Sequence, residues 1–223
     1  MLDALAARRV RRVRSREHVI HEGDRPIYVN LIVEGWAHSY KVLADGRRQI
    51  VAFLLPGDLC DPYLYLLGET DHSIAAVSPL TIAQFSRDEF DVMTSPRIDQ
   101  ALRWDRHVTA AIQREWITSI GQRGALERIA HLALEVFCRM EAVGLVDAGG
   151  CDFPLRQTEI ADALGMTSVH TNRMLQILRK ENLIELSDKR LAIRDRAALE
   201  RVAMFNPTYL HLQGEGSRTD GND

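Results

Sequence analysis

The sequence is poor in cysteine. Among its 223 residues there are three, Cys60, Cys138 and Cys151. They lie far apart and no two form a Cys-x-x-Cys pair. That leaves neither a paired zinc-ligand motif nor a disulfide framework, and the usage suits a reducing cytoplasm. An all-cysteine iron–sulfur cluster needs four thiolates, which three cysteines cannot supply. Long apolar runs are also missing, so no segment reads as a membrane-spanning helix. Neither sign of charge dominates: 28 Lys and Arg face 31 Asp and Glu, for a net charge of −3. Any nucleic-acid contact must therefore use a local basic face rather than a global field. The Arg-rich start between Arg8 and Arg16 lacks the apolar core of a secretory signal. It reads as a first helix from about Leu2 to Val13 with a solvated basic face.

What is present suffices for two modest domains, with 46% hydrophobic residues. From Val19 to Phe85 the apolar period is two, and turn signals recur at Glu22-Gly23-Asp24, Glu34-Gly35, Asp45-Gly46, Pro56-Gly57-Asp58 and Ser78-Pro79. Short apolar runs fill the gaps, as in Val29 to Val33, Gln49 to Leu55 and Thr81 to Phe85. Many short strands with Gly turns predict a β-sandwich or jelly roll. After Pro96 the period becomes helical, with Ala101, Trp104, Val108, Ile112 and Trp116 on one face. Gly121 and Gly124 interrupt it. A new helix starts near Ala125 with an apolar stripe through Leu126, Ile129, Ala130, Ala133, Leu134 and Phe137. Gly144 to Gly150 reads as a loop. Asp195 is placed to cap a last helix from about Arg196 to Ala203, and Gly214 to Asp223 reads as a disordered tail.

Between these lies the stretch with the most specific chemistry, Leu155 to Lys180. Ile160, Ala163 and Leu164 make one buried stripe, and Gly165 stands where a helix end needs a left-handed residue. Thr167 can cap a second helix, in which Met174, Leu175 and Leu178 face inward. Ser168, Val169, Asn172, Arg173 and Gln176 fall on the outer face. Arg can bond guanine with both arms, Asn and Gln can pair with adenine, and Val can touch a thymine methyl. A helix-turn-helix presents the start of its second helix to the major groove. The bland alternative is an ordinary solvated helix pair. Context favours the first reading: Glu181 to Leu186, a turn at Ser187 to Arg190 and a return through Leu191-Ala192-Ile193 make the hairpin of a winged helix.

With these motifs the chain resembles the Crp/Fnr family of bacterial transcription regulators over nearly its whole length. The resemblance is most specific at Thr167 to Leu175. It extends to Glu127-Arg128-Ile129-Ala130, and to the β-roll at His21-Glu22-Gly23-Asp24, Val33-Glu34-Gly35, Asp45-Gly46-Arg47 and Pro56-Gly57-Asp58. It implies an α+β chain: a cyclic-nucleotide-binding-like β-roll over 1–95, a dimerisation helix over 96–121, a winged helix-turn-helix over 122–196, and a C-terminal helix and tail over 197–223. It implies a cytoplasmic homodimer on double-stranded DNA, with RNA polymerase and an unspecified small-molecule effector as further partners. Arg173 is the leading candidate for guanine contact. Asn172, Val169, Ser168, His170 and Gln176 are secondary, with Thr167 at the helix start. Arg156 and Gln157, ahead of the first helix, are candidates for phosphate. Family members often carry Glu where Val169 stands and Ser or Gly where Asn172 stands, so the target should differ from theirs.

The chain departs from members that bind cyclic AMP. Those carry Gly-Glu for the ribose and Arg-Ser or Arg-Thr for the phosphate. Asp61-Pro62 and His72-Ser73 stand in their places. Proline has no N–H to offer and an acidic side chain repels phosphate. Cyclic AMP is therefore not the expected ligand, and no metal or cofactor is expected. His72 beside Asp71 reads as a solvated loop residue rather than a metal or haem ligand, and His38 lacks a His-x-His partner. Cys138 reads as a small core residue, and Cys151, in a loop, as a candidate for redox gating. Two other functions are open to such a chain: a ligand-binding module whose winged helix contacts proteins, and a metal β-barrel enzyme. Asp58, Asp61 and His72 offer an acid–base pair to the latter but no oriented nucleophile, so the chain is not expected to be an enzyme.

Overall fold

A computed structural model describes residues 9–60, 68–93 and 95–212. In chain order the elements are β1 (Val10–Val13), β2 (His18–Ile20), β3 (Tyr28–Glu34), β4 (Ala37–Val42), β5 (Arg48–Leu54), β6 (Leu59–Cys60), β7 (Ser73–Ala76) and β8 (Leu80–Ser86). Helices α1 (Arg87–Met93), α2 (Pro96–Gln122) and α3 (Ala125–Ala142) follow. Then come β9 (Val146–Asp147), β10 (Gly150–Asp152), α4 (Gln157–Leu164), α5 (Ser168–Lys180), β11 (Ile184–Ser187), β12 (Arg190–Ile193) and α6 (Arg196–Ala203), with a final 3-10 turn at Pro207–Leu210. The described residues of 1–102 and 153–172 form one compact unit, and those of 103–152 and 173–223 form another.

In the first unit two antiparallel four-stranded sheets, ordered β1-β8-β3-β6 and β2-β7-β4-β5, make the expected β-roll. Alternation drives it: Ile20, Ile32, Ala37, Ile74, Ala76, Leu80 and Ile82 turn into one core. Val29, Ala83, Phe85, Phe90 and Leu102 form a second. Cys60 is buried in the first of these cores. Gly35 cannot be replaced there. Its φ is +79°, and a Cβ would stand 2.1 Å from the Pro79 carbonyl oxygen. Asp58 is a turn former, as read, accepting the Leu55 N–H at 2.7 Å. The expected N-terminal helix is corrected at its end. Residues 10–13 are β1, with Val10 opposite Ala83 and Val13 opposite Leu80. Pairing with a distant strand, with Val13 buried beneath it, overrides the local helical pattern. The rest of that expectation, and the tail at 214–223, lie outside the described residues.

In the second unit α3 is buried on every face from Ile129 to Cys138, more than its stripe foretold. Buried His131 and Glu135 interrupt its apolar surface. Helix α6 packs on α3, and Asp195 caps it as expected, accepting the Ala198 N–H at 2.9 Å. The loop expected over 144–150 contains instead a small hairpin, β9 and β10, and β10 pairs with β12 of the wing in a sheet ordered β11-β12-β10-β9. Its strands are too short to show a period in the sequence. Their pairing comes from the wing strand, which is distant in the chain. Cys151 is accordingly not a loop residue. It is fully buried, and burial pushes its thiol pKa up to about 12. A buried thiol held protonated is a poor redox gate. Cys138 is the core residue expected, with its thiol raised to about 11.

Candidate nucleic-acid interface

The helix-turn-helix is built by local chemistry. Helix α4 opens where the Arg156 N–H donates to Glu159 Oε2 at 2.7 Å. It closes on Gly165, whose φ of 65° and ψ of 41° are left-handed. Its N–H bonds back to the Ala161 carbonyl, satisfying one of the helix's orphan acceptors. Thr167 Oγ1 then accepts the His170 N–H at 3.2 Å and starts α5. Within α5, Met174, Leu175 and Leu178 are buried, as is Thr171.

The outer face is open. Val169 is 82% exposed, and Arg173 and Gln176 follow it at helical spacing, both exposed. Among the described residues the Arg173 guanidinium makes no hydrogen bond or ion pair, and the residue is exposed. Ser168, His170 and Asn172 are partly exposed. Arg179 and Lys180 extend the positive charge along the last turn.

Two candidates have partners the sequence did not show. The Arg156 guanidinium donates to Glu159 Oε1 through Nη2 at 2.6 Å and Nε at 3.2 Å. Glu159 is buried, and its hydrogen bond raises the Arg156 pKa further. Gln157 Nε2 donates to Asn172 Oδ1 at 3.1 Å, which links the start of α4 to the outer face of α5. The helical period marked Ile160, Ala163 and Leu164 as the buried stripe; the burial of Glu159 and its partnership with Arg156 carried no signal in the sequence.

Elsewhere, His72 departs from the solvated residue expected. Its side chain is only 14% exposed, and Nδ1 lies 2.8 Å from Asp71 Oδ1. Asp71 is the solvated partner, its pKa lowered by the His72 hydrogen bond. Asp61-Pro62 lies outside the described residues. No group of three or more metal-ligating side chains occurs among the described residues, and no helix among them is long and apolar enough to cross a membrane.

A β-roll followed by a capped helix pair and a β-wing defines a winged-helix DNA-binding regulator. The Crp-like helix-turn-helix domain family matches residues 127–202, and the cyclic nucleotide-binding domain family matches residues 10–95. The transcriptional activator protein FnrL of Cereibacter sphaeroides is 32% identical over 181 residues, covering 78% of this chain and 72% of FnrL. The nitrogen fixation regulation protein FixK of Bradyrhizobium diazoefficiens is 30% identical over 192 residues, 85% of this chain and 79% of FixK. Among solved structures, FixK2 from Bradyrhizobium japonicum superposes with a TM-score of 0.75 at 26% identity, over 87% of this chain and 96% of FixK2. The chain belongs to the Crp/Fnr family of transcription regulators, which bind DNA through the helix-turn-helix and are not enzymes.

Proposed function

We propose that the protein binds an inverted-repeat operator as a homodimer and reads each half-site with α5. The observation that carries this reading is the open face through Val169, Arg173 and Gln176, with an uncommitted guanidinium at its centre. Arg173 takes guanine. Ser168, Val169, His170, Asn172 and Gln176 contact neighbouring base edges, and Thr167, Arg156 and Gln157 lie toward the backbone. The domain division follows the sequence: sensor over 1–95, dimer helix over 96–121, winged helix over 122–196.

Dimerisation through α2 is supported by apolar side chains that the chain leaves uncovered. Trp104 is 44% exposed, Ile117 and Ile120 are exposed, and Val108 and Ile112 are half-buried. Trp116, by contrast, is buried within its own unit. Two-fold pairing of α2 puts the two α5 helices in successive major grooves, with half-site centres roughly 34–36 Å apart. Val108→Glu with Ile112→Glu should give a monomer, since an unpaired buried carboxylate costs several kcal/mol. Sedimentation of that variant and footprinting of the wild type test the arrangement. A dimeric variant, or a footprint without two-fold symmetry, overturns it.

The β-roll responds to a signal other than cyclic AMP. His72 carries no permanent charge and is already bonded to Asp71, so the position where a phosphate's cation is needed holds an imidazole–carboxylate pair. Calorimetry with cyclic AMP or cyclic GMP should show no saturable heat, and micromolar binding would refute this. A place in the cytoplasm and a contact with RNA polymerase accompany the regulatory role.

A further inference from the structure

Within the first unit, α4 is packed on β5, the edge strand of the sheet ordered β2-β7-β4-β5. Two adjacent residues of β5 hold it. Arg48 donates to Asp162 Oδ2 through Nη2 at 2.6 Å and Nε at 2.8 Å. Both side chains are about two-thirds covered, with 29% and 31% exposed. Gln49 Nε2 donates to the Ala163 carbonyl at 3.0 Å, in the last turn of α4, where helical carbonyls lack intrahelical partners.

Arg48 is itself fixed from behind. His38 Nδ1 lies 3.0 Å from the Ala75 carbonyl, which can only accept, so Nδ1 carries the proton. Nε2 then accepts from Arg48 Nη1 at 3.3 Å. The guanidinium carbon also sits 5.5 Å above the Tyr40 ring. An arginine with its fork, its third nitrogen and its flat face all engaged has little freedom to swing away. None of these contacts covers the outer face of α5, so the clamp does not act by hiding the reading surface.

We propose that Arg48 and Gln49 are positioning residues for operator binding: they clamp the first helix of the helix-turn-helix to the edge of the β-roll, so that the reading helix is presented at a set place. The inference rests on the two-half-site reading above. Contact with one half-site needs only a folded winged helix. Contact with both requires the second reading helix to be held where the second half-site lies, and a loose attachment lowers its effective concentration there. Loss of the clamp should therefore weaken the paired site and leave the single half-site unchanged.

The test uses the full chain and a duplex selected from a random library with wild-type protein, alongside a duplex of equal length in which one half-site is scrambled. Wild type should bind the paired site far more tightly than the single one. Equal binding of the two by wild type would overturn the two-half-site reading itself. Given that preference, Arg48→Gln and Asp162→Asn should each lose on the order of tenfold on the paired duplex and nothing on the single one. Arg48→Gln combined with Asp162→Asn should lose no more than either alone, as one broken contact requires. An unchanged ratio of the two affinities, an equal loss on both duplexes, or tighter binding by the variants would overturn the clamp.

Discussion

Trp116 Nε1 donates to both carboxylate oxygens of Glu135, at 3.0 Å and 3.2 Å, in the interior of the second unit. Tyr209 adds its hydroxyl to Oε2 at 2.9 Å. Burial pushes the Glu135 pKa up, and these donors oppose the shift. Trp116→Phe keeps most of the packing and removes one donor. We expect the unit to lose about 2 kcal/mol, the scale of a hydrogen bond to a charged group. Urea unfolding followed by circular dichroism measures it. An unchanged midpoint would show that the bond adds nothing.

Two histidines should make the protein acid-sensitive. Burial first, and then Arg48, brings His38 down to about 4. Burial first, and then Arg123, brings His131 to about 4, against the pull of Glu115. Both bind protons more readily when unfolded, with an ordinary pKa near 6.5. Their contribution to stability is therefore complete above about 6.5 and is lost as the pH falls toward 4. Glu135 acts in the opposite sense. Its raised pKa favours folding below the usual carboxylate range, and that contribution fades as the pH rises. The urea midpoint should fall between pH 7.5 and pH 5, and His131→Gln should flatten the fall. Equal stability of the wild type at both values would contradict this account.

Arg173→Ala should cost on the order of 1–3 kcal/mol of discrimination between the selected operator and a scrambled duplex. A role on phosphate alone would weaken both duplexes alike and flatten the salt dependence. Competition binding at two salt concentrations separates the outcomes, and equal losses would remove Arg173 from the base-reading set.

The bond between Gln157 and Asn172 should shape what Asn172 reads. Pairing with adenine uses both polar atoms of the amide, and Gln157 occupies one of them. Gln157→Ala should free the amide and raise the preference for adenine at one half-site position. Base-by-base substitution of the half-site measures the change. An unaltered preference profile would mean that the bond opens without cost on DNA.

All three thiols are buried, and those of Cys138 and Cys151 are held protonated. A thiol reagent added to native protein should label them only as fast as the chain opens. Rapid labelling of Cys151 without unfolding would restore it as a redox gate.

The helix-turn-helix was legible because its signals are local. The stripe through Ile160, Ala163 and Leu164, the left-handed glycine at 165 and the cap at Thr167 each act within a few residues of chain, and all three stand where the sequence put them. The β-roll was legible for a related reason, since alternation and tight turns mark each strand by itself. The misread segments were those whose partners lie far away. Val10 to Val13 became a strand because β8 pairs with it, and Gly150 to Asp152 became one because the wing's β12 does.

Fold class was thus determined by the sequence alone, through propensity, period and turn chemistry, and the family through the motifs that carry the resemblance. The partners of the charged side chains were decided by the tertiary structure. Arg156 and Glu159 are three residues apart, and many such pairs leave both side chains in water; burial of Glu159 is what commits this one. Arg48 and Asp162 are separated by 114 positions, and no local rule relates them. An ion pair needs only distance, orientation and shelter from water, and those become defined once strand and helix are packed together.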